Sequence, residues 1–571
     1  MSKQKSFGQF TDHLKKNEGK IKSAITDGLK GSRRQALATM GAIGATGLGM
    51  MIPGVANAIT VGPLSPVQRR NQALWIRKTA AFRNAQETSL LLQPTNGDDE
   101  QFTNRIGSFT KGLAHNVSDG AITNPGDYDT LVTGLSNASQ SDLDLVPLSG
   151  SRKLVSPLGG WAFEIEGGDG PSFKIPAPPK FNSREQAAEM AENYWMAALI
   201  DVPFSQYRNN ALAQKAADDL TSFGADFKGA KNNQGVVTPR LLFRGLTPGD
   251  RRGHWLSQFW FQPTPFGANA IDLRINTPQA GVNFGTSWND FIDIQNGNIP
   301  TAAPAFENRL LYLRNGRGMS EWVHVDVLYQ AYFMSMLSLE AMGAPVDAGN
   351  PYNNSVTQEG FSTFGIGHIS TLVAEVTTRA LHAAWFQKWF AHRRLRPEAQ
   401  AGAIHANLNR GASFDIHPEI ANSINDSNRL GAALTPGNAL LPLAFEEGSP
   451  MHPAYTAGHA TVAGACTTIL KAWYDESYVI QNPLRPSNNG RRLVPFNGRA
   501  DLTVGGELNK IASNVSNSRN IAGVHWRSDS TASLALGEAI AIQLLREQTA
   551  TFAEDFNGFS LTKFDGTTVT V

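Results

Sequence analysis

The sequence has one cysteine, Cys466, in 571 residues. A single cysteine excludes an internal disulfide, and it also excludes zinc and iron–sulfur centres that need several thiolate ligands. Glycine interrupts the apolar runs before they reach the roughly 18 to 20 residues that a membrane-spanning helix needs, and nucleotide-binding motifs are missing too. The sequence therefore predicts no membrane span in the mature chain.

The first 58 residues differ in kind from the rest. A polar, Lys-rich stretch precedes SRRQAL at 32–37, and a Gly/Ala-rich apolar run to Ile52 is followed by Ala-Asn-Ala at 56–58. That order is typical of a twin-arginine export signal with its cleavage site. We predict a signal peptide over 1–58, cleavage after Ala58, and a periplasmic or extracellular mature protein. An ordinary amphipathic amino-terminal helix is the alternative.

The charge is close to balance once residues 1–58 are set aside. That segment holds nine Lys/Arg and three Asp/Glu, so the remainder carries 41 basic and 46 acidic residues, a net charge of −5. Nucleic-acid-binding surfaces are rich in positive charge. The sequence thus predicts no nucleic-acid partner.

Hydrophobic residues make up 41% of the chain, enough for one very large core or two ordinary ones. Composition gives no domain boundary after residue 58. We therefore predict that residues 59–571 form a single unit, in which 59–304 combine amino-terminal helices with long loops and 305–571 form the helical part that contains the site.

Apolar residues at three- and four-residue spacings predict an all-α fold with long loops and a few short strands. The predicted helices cover 65–93, 183–203, 308–316, 319–343, 369–395, 417–424, 459–475, 502–521 and 528–550. Gly, Pro, Ser and Asn predict irregular chain at 102–178 and 236–300. The tail after Gly558 is predicted as a strand or as disordered.

Three separated segments concentrate cations and imidazoles. The first, KWFAHRRLRP at 388–397, places Lys388 and Arg396 eight residues apart, which on a continuous helix puts them within about 80° of each other. Pro397 disfavours helical geometry at Arg396, so that arginine is predicted at a helix end. A lone Lys/Arg pair is more often a solvated helix face, but the aromatic residues around Lys388 argue against exposure.

The second segment, HPAYTAGH at 452–459, ends where a helical pattern begins. Free amides at a helix start bind anions, and Gly458 lets a ligand approach the backbone closely. His459 lies beside that position, where it is placed for proton transfer. Taken alone, a histidine at a helix start is more often a cap or a structural residue.

The third segment, RNIAGVH at 519–525, places Arg519 and His525 six residues apart. On an ideal helix this spacing is about 600°, which sets the two side chains on different faces. Gly523 lies between them and is predicted to end the helix, turning both side chains toward one pocket. A surface arginine and a core histidine are the alternative.

Together the three segments predict a cradle for one tetrahedral or trigonal-bipyramidal oxyanion. Arginine suits an oxyanion as a planar fork and lysine as a point charge. One histidine is then available to bond the central atom and another to manage protons.

On these residues the chain resembles the vanadium-dependent haloperoxidases, and more specifically their algal and cyanobacterial bromoperoxidase branch. The eight-residue spacing from Lys388 to Arg396 is similar to that of the bromoperoxidase branch. Acid phosphatases of the same superfamily and fungal chloroperoxidases usually have a seven-residue spacing between the two cations. HPAYTAGH resembles the family's HPSYPSGH, and NGDDE, FTKGLAHN, SQF, DIQNG, LRNGR and EWVHVDVLYQAY also look like this branch. The resemblance covers most of the mature chain and implies two four-helix bundles.

The resemblance implies vanadate as the cofactor and gives each motif residue a role. By this resemblance, His525 is the axial ligand of the metal, His459 is the acid–base group, and Lys388 polarises the bound peroxide. The groups that bond vanadate oxygens are Lys388, Arg396, Arg519 and the Gly458 amide. The halide side is lined by Trp385 and His452. Fungal chloroperoxidases carry an aromatic residue where this chain has His452. That difference favours bromide or iodide.

One cofactor-binding position departs from the family. The serine before the Gly-His pair is Ala457 here, so a hydroxyl that would bond a vanadate oxygen is missing. Loss of such a bond typically costs about 0.5–1.5 kcal/mol, or about 1.5–3 kcal/mol where a charged group is involved. This predicts weaker cofactor retention or altered halide preference rather than an inactive site.

The implied reaction oxidises a halide with hydrogen peroxide to hypohalous acid, which then halogenates an organic acceptor. One rival is an acid phosphatase of the same superfamily, in which His525 attacks phosphate. The other is a non-catalytic exported protein that binds an oxyanion, with Ala457 as the first sign of decay. The resemblance also implies a homodimer or larger homo-oligomer, and it allows a calcium site whose ligands the sequence does not place.

Overall fold

The computed structural model describes residues 63–87, 92–300, 303–498 and 501–571. The predicted export signal, 1–58, lies outside the described residues, so its cleavage stays a prediction. By its internal contacts the chain divides into two units, 1–85 and 86–571. The described part of the first unit is mainly a helix. The second unit contains all three motifs.

Helices dominate the described chain. They are α1 (Pro66–Glu87), α2 (Asp98–Gln101), α3 (Pro125–Ser136), α4 (Gln140–Leu143), α5 (Arg184–Ala198), α6 (Ala211–Ser222), α7 (Trp288–Gln295), α8 (Gly316–Val325), α9 (Gln330–Ala341), α10 (Ile366–Phe386), α11 (Pro397–Asn409), α12 (Pro418–Asn425), α13 (Gly458–Trp473), α14 (Val504–Ile521) and α15 (Arg527–Thr549). Within the described ranges, none of these helices is long and apolar enough to cross a membrane.

Strands are short and pair two by two in antiparallel fashion. They are β1 (Pro265–Phe266) with β2 (Asn269–Ala270), β3 (Arg274–Ile275) with β4 (Leu311–Tyr312), β5 (Leu484–Pro486) with β6 (Leu493–Pro495), and β7 (Ser560–Thr562) with β8 (Thr568–Thr570). The all-α prediction with a few short strands is confirmed. The tail after Gly558 is a hairpin, which settles that alternative in favour of strand.

The helix predicted over 308–316 is wrong. Leu311 and Leu313 are both buried while the residue between them is only partly buried, a two-residue alternation that belongs to a strand. Helix α8 begins at Gly316, where Asn315 caps it by accepting a hydrogen bond from the Gly318 amide.

Helices α3, α4 and α7 interrupt segments predicted as irregular. Helix α3 begins at Pro125 after Asn124, whose side chain accepts from the Gly126 amide, and helix α7 begins after Ser287, which caps it in the same way. Both starts carry the Asn, Ser or Pro signals of a helix start. The surrounding turn-forming residues concealed them.

Helix α13 lies at the centre of the fold, packed against α10, α14 and α15. Its contact with α15 is very close: a Cβ on Gly464 would lie 2.2 Å from the Leu534 carbonyl oxygen, and one on Gly537 would lie 2.0 Å from that of Thr461. Any side chain at these two glycines would push the helices apart. This contact fixes the start of α13 relative to the start of α15, where the second and third motifs lie.

Candidate functional site

Lys388 lies on a π-helical turn, Gln387–His392, that directly follows α10. The amide of Arg393 donates to the Lys388 carbonyl over 2.9 Å, a five-residue step, and Arg393 itself is left-handed with φ 43°. Helical geometry therefore ends before Arg396, which forms the N-cap of α11 with ψ 157°. The prediction that one continuous helix face presents both cations is wrong. The two residues come from consecutive elements.

The ammonium of Lys388 is fully buried. It donates to the carbonyl oxygens of Pro453 (2.7 Å) and Ala454 (3.0 Å) in the second motif. Two of its three protons are used in this way, which leaves the third for a ligand. Burial lowers the pKa of Lys388 well below its ordinary value, and the charges of Arg396 and Arg519 lower it further. An anion would offset all three effects.

The guanidinium of Arg396 joins the second motif to the third. It donates to the His452 carbonyl oxygen through Nε (3.0 Å) and Nη2 (2.7 Å), and through Nη1 to the carbonyl oxygen of Val524 (2.6 Å). Its Nη2 also lies 2.9 Å from Nδ1 of His452, and its Nη1 lies 3.0 Å from Nε2 of His525. Burial lowers its pKa to about 9, so the group still stays charged at neutral pH.

His525 follows a helix end that the sequence predicted. Gly523 has φ +80°, a conformation that glycine adopts without strain, and α14 ends just before it at Ile521. Nδ1 of His525 lies 2.8 Å from Oδ2 of Asp529. Because a carboxylate only accepts, Nδ1 carries the proton and Nε2 is the acceptor that faces Arg396. Burial and the neighbouring cations Arg396 and Lys388 lower the pKa of His525 well below its ordinary value, so the ring is neutral.

Arg519, in the last turn of α14, keeps unused donors in a buried place. Its Nη1 donates to the Val323 carbonyl oxygen over 2.7 Å, and its guanidinium lies 5.2 Å from the centroid of the Phe445 ring. Its Nε is buried and finds no hydrogen-bond partner among the described residues. A buried donor without a partner is costly, and a ligand is one of the features that explain it.

The start of α13 offers free amides. Ala457 is its N-cap, and no side chain in the described part of the chain caps it. The Ala457 amide itself donates to the hydroxyl of Ser533 on α15 over 2.9 Å. The amides from Gly458 onward belong to the first turn, which has no intrahelical acceptors for them. A Cβ on Gly458 would lie 3.1 Å from Cζ3 of Trp385, so glycine keeps this approach open.

His459 is held by an acid from another helix. Its Nε2 lies 2.8 Å from Oδ1 of Asp326, the residue that follows α8. Since the carboxylate accepts, Nδ1 of His459 is left as a proton acceptor. Burial lowers the pKa of His459; Asp326 opposes this effect, and the cations Arg519 and Lys388 add to it. The ring is therefore neutral at pH 7 and able to take up a proton.

Trp385 and His452 form the remaining wall. Their ring centroids lie 4.8 Å apart, and Nζ of Lys388 lies 5.6 Å from the Trp385 ring. Nδ1 of His452 lies 2.9 Å from Nη2 of Arg396 and 3.2 Å from the Pro453 carbonyl oxygen. Because the guanidinium only donates and is the nearer group, Nδ1 is the acceptor and Nε2 carries the proton. Burial, Lys388 and Arg396 lower the pKa of His452 well below its ordinary value. This wall thus combines an indole face with an N–H donor amid positive charge.

The structure brings the predicted site residues together. Lys388 and His452 both contact the Pro453 carbonyl oxygen, and Arg396 contacts the rings of His452 and His525. The charge of Arg519 acts on Lys388, and the charges of Arg519 and Lys388 act on His459. None of the predicted residues lies elsewhere on the molecule. Their individual catalytic roles stay predictions.

Three partners escaped the sequence analysis. Asp529 lies four residues after His525, a spacing at which a carboxylate at a helix start reaches back to the ring. This spacing is visible in the sequence and could have predicted the contact. Asp326 lies within EWVHVDVLYQAY, which was noted only for its resemblance. Arg394 donates to Asp529 over 2.7 Å and to Glu189 on α5 over 2.9 Å, a connection that only the tertiary structure reveals.

The donor set fits an oxyanion such as vanadate. Three buried cations converge with free amides, the orphaned Nε of Arg519 and a neutral imidazole nitrogen on His525. A bare metal cation would need carboxylate, thiolate or imidazole ligands instead of cations and N–H donors. Among the described residues, no group of three or more His, Cys, Asp or Glu is arranged to hold one. Calcium therefore stays a prediction of the resemblance alone.

Comparisons with known proteins agree with this geometry. The family model for the second helical-bundle domain of VCPO matches residues 368–554, which include all three motifs. A vanadium-dependent bromoperoxidase of Corallina pilulifera is 33% identical, over 89% of this chain and 100% of the relative. One from Ascophyllum nodosum is 32% identical, over 86% and 91%.

A solved structure is similar over nearly the whole chain. It is the homohexameric second vanadate-dependent bromoperoxidase of Ascophyllum nodosum, with a TM-score of 0.83 and 30% identity. The similarity covers 92% of this chain and 95% of that one. It therefore extends well beyond the three motifs.

Proposed function

The chain belongs to the vanadium-dependent bromoperoxidases, and on that premise we propose that it oxidises bromide or iodide with hydrogen peroxide to hypohalous acid. The hypohalous acid would then halogenate organic acceptors. The observation that supports this best is the surrounding of His525: Asp529 holds its Nε2 as an acceptor, and Arg396 lies 3.0 Å away. A neutral imidazole amid buried cations is suited to bond the central atom of an oxyanion.

Lys388, Arg519 and the Gly458 amide have unused donors for vanadate, whereas Arg396 and Nε2 of His525 would give up the contact that they now make with each other. His525 would bond vanadium, while Lys388, Arg396, Arg519 and the Gly458 amide would bond its oxygens. Bound vanadate would supply a Lewis acid that polarises peroxide toward attack by a halide. Lys388 adds positive charge beside the reacting oxygen, and burial strengthens that charge because little water screens it.

His459 is proposed to move the protons. Asp326 fixes its tautomer, which leaves Nδ1 free to take a proton from incoming hydrogen peroxide. The lowered pKa of the ring keeps it neutral before that step. Asp326 then stabilises the imidazolium that forms. The ring can later return the proton to the departing oxygen.

The halide is proposed to approach along Trp385 and His452. Lys388 and Arg396 make this wall positive, and the N–H of His452 is a donor for an anion. The soft indole face suits a large, polarisable halide better than a small one. This arrangement supports bromide or iodide as the substrate.

Two rivals share this cradle. A phosphatase would use His525 to attack phosphate, but the relatives that match most of the chain are bromoperoxidases. A non-catalytic oxyanion-binding protein is favoured only by Ala457, whose lack of a hydroxyl removes one bond. We propose that this loss weakens vanadate retention or shifts halide preference without abolishing turnover.

One assay separates these functions. Protein freed of oxyanions is incubated with orthovanadate, peroxide, bromide and a phenol dye, beside Lys388→Met and the surface control Lys215→Met. The bromoperoxidase is supported if dye bromination requires vanadate and if Lys388→Met loses this activity while Lys215→Met keeps it. Phosphomonoester hydrolysis without vanadate supports the phosphatase. Vanadate binding with neither activity supports the non-catalytic protein.

Assembly and export complete the proposal. The similar bromoperoxidase of Ascophyllum nodosum is homohexameric, which supports a homo-oligomer here. The arginine pair and the Ala-Asn-Ala sequence near residue 58 support export to the periplasm or beyond. Amino-terminal sequencing of secreted protein should give Ile59 as the first residue.

A further inference from the structure

Trp385 touches the anion site and a surface loop at opposite ends of its indole. A Cβ on Gly458, at the anion site, would lie 3.1 Å from Cζ3 of the six-membered ring. A Cβ on Gly159, in the 3-10 turn Gly159–Trp161, would lie 3.3 Å from Cδ1 of the five-membered ring. A single indole therefore separates the first turn of α13 from the loop that begins at Gly159.

That loop presents three apolar side chains at alternate positions: Trp161, Phe163 and Ile165, which we call the apolar loop. Their side chains are 49%, 79% and 99% exposed. Trp161 also packs over the aromatic residues on either side of the lysine, with ring centroids 6.4 Å from Phe386 and 5.2 Å from Phe390. Single exposed apolar side chains are ordinary. Three in alternation beside a reactive site are not.

The intervening residues anchor the loop. The carboxylate of Glu164 lies 2.6 Å from Nδ1 of His382, and the backbone amide of Glu164 donates to the Asp169 carboxylate over 2.6 Å. Arg379 donates to the carbonyl oxygen of Glu166 over 2.9 Å and to its carboxylate over 3.3 Å. His382 and Arg379 both lie on α10. The polar positions thus hold the loop to the helix that leads to Lys388, and this keeps the apolar positions outward.

We propose that the apolar loop docks the organic acceptor, and that the acceptor is an uncharged, apolar aromatic compound. This rests on the proposed function. Trp161 offers a ring for stacking, and Phe163 and Ile165 offer an apolar surface next to it. The loop residues 159–166 include no Lys or Arg, so the apolar loop itself offers no cation to an anionic acceptor. Trp385 lies between this surface and the halide side, so a docked acceptor lies one indole away from the place where hypohalous acid would form.

The transfer step needs no further oxidant. The O–Br bond of hypobromous acid and one C–H bond of the acceptor break, a C–Br bond forms, and the hydrogen leaves with hydroxide as water. Peroxide has already oxidised the bromide. Docking contributes proximity: a held acceptor meets hypobromous acid before it diffuses into solution, whereas an undocked acceptor competes from bulk.

The test compares Phe163→Ser/Ile165→Ser with Val356→Ser, a matched loss of an apolar group that is 97% exposed in another loop. Each protein, loaded with vanadate, brominates an equimolar mixture of 4-phenylphenol and phenol-4-sulfonate. The product ratio is compared with that from reagent hypobromous acid. Bromide-dependent oxygen release from peroxide, without any acceptor, measures halide oxidation alone. Calorimetry with 4-phenylphenol, without peroxide, measures docking directly.

The wild type should favour 4-phenylphenol about fivefold more than the free reagent does, the effect expected from one or two apolar contacts. The double variant should give the reagent's ratio and weaker 4-phenylphenol binding, while Val356→Ser keeps both. Oxygen release should be equal in all three. A wild-type ratio equal to the reagent's, or selectivity retained by the double variant, overturns the proposal.

Two other outcomes are distinct. If the double variant alone loses an assembly in size-exclusion chromatography, the apolar loop is an interface between copies and the docking proposal fails. If vanadate-loaded wild type releases no oxygen with any halide, the proposed function itself fails. Saturable 4-phenylphenol binding that only the double variant loses would in that case still locate an apolar site at the loop.

Discussion

Asp529 accepts a hydrogen bond from Nδ1 of His525 over 2.8 Å, while Nε2 of the same ring lies 3.0 Å from Nη1 of Arg396. The carboxylate therefore sets both the tautomer and the orientation of the imidazole. Partners of this kind raise the basicity of a ligating histidine and hold its ring in place. Through Asp529, the first turn of α15 acts on the oxyanion site.

Asp529→Asn should weaken vanadate binding by about 10- to 100-fold, the usual effect of losing such a partner. The amide presents a donor or a weaker acceptor to Nδ1, so the ring loses its fixed tautomer. Titration of vanadate into oxyanion-free protein measures the affinity. Asp272→Asn, at an exposed ion pair with Arg274, is the control. Unchanged affinity in a folded Asp529→Asn protein would remove Asp529 from this role.

Ala457→Ser should strengthen vanadate binding by about two- to tenfold, which corresponds to one hydrogen bond of 0.5–1.5 kcal/mol. A serine hydroxyl at the N-cap can also accept from an amide of α13, so the free energy of unfolding should rise by about 1 kcal/mol without vanadate. Affinity and stability are therefore measured separately. Ala535→Ser, at an exposed position of α15, is the control for an added hydroxyl. A gain in stability with no gain in affinity would show that the hydroxyl caps the helix only.

Vanadate binding should take up protons. Without an oxyanion, burial and neighbouring cations hold the pKa values of Lys388, His452 and His525 well below ordinary values. A bound oxyanion offsets those charges and raises the pKa values of Lys388 and His452, so protons enter at any pH between the old and new values. His525 takes up none, because Asp529 holds its Nδ1 proton and Nε2 would be bonded to vanadium. Calorimetry in buffers of different ionisation enthalpy counts them. Lys388→Met should take up fewer; proton release in the wild type would contradict this prediction.

His324 should contribute stability that depends on pH. Burial alone lowers its pKa, but hydrogen bonds and charge from Glu321 and Glu447 outweigh burial and raise the pKa to about 9. A raised pKa stabilises the fold fully below the unfolded value of about 6.5, and that stability is lost as the pH rises through 9. Each pKa unit corresponds to about 1.4 kcal/mol, and the partial exposure of His324 reduces this effect. We therefore expect His324 to add about 1–2 kcal/mol to the free energy of unfolding.

Denaturant unfolding of the wild type and His324→Gln at pH 6 and pH 10 checks this. The difference in unfolding free energy should be present at pH 6 and close to zero at pH 10. Glu447→Gln should remove most of the same difference, because it removes the carboxylate that lies 2.9 Å from the ring. An equal difference at both pH values would assign His324 a packing role, since its ring stacks on Phe445 at 4.0 Å.

The parts of the site that depend on local chemistry could be predicted from the sequence. A glycine with positive φ ends α14 at Gly523, a proline follows the N-cap at Arg396, and α13 begins at Gly458 as its motif indicates. Each of these follows from the conformational preference of one or two residues. The convergence of the three motifs was predicted from their shared chemistry.

The parts that depend on distant chain were not predictable in this way. Lys388 is held by the carbonyl groups of Pro453 and Ala454, and backbone carbonyls carry no sequence signal. Asp326 reaches His459 only because α8 ends beside α13. Lys388 and Arg396 do not share one helix face as predicted, because a π-helical turn stands where the prediction needs a regular helix.

That turn explains how the spacing of the two cations can vary. A π-helical turn accommodates one extra residue in a helix while the chain before and after it keeps its position. The eight-residue spacing of Lys388 and Arg396 can therefore be understood as a seven-residue spacing with one insertion, absorbed between Gln387 and His392. A chain with one residue fewer in this turn would keep the same two cations at the oxyanion site.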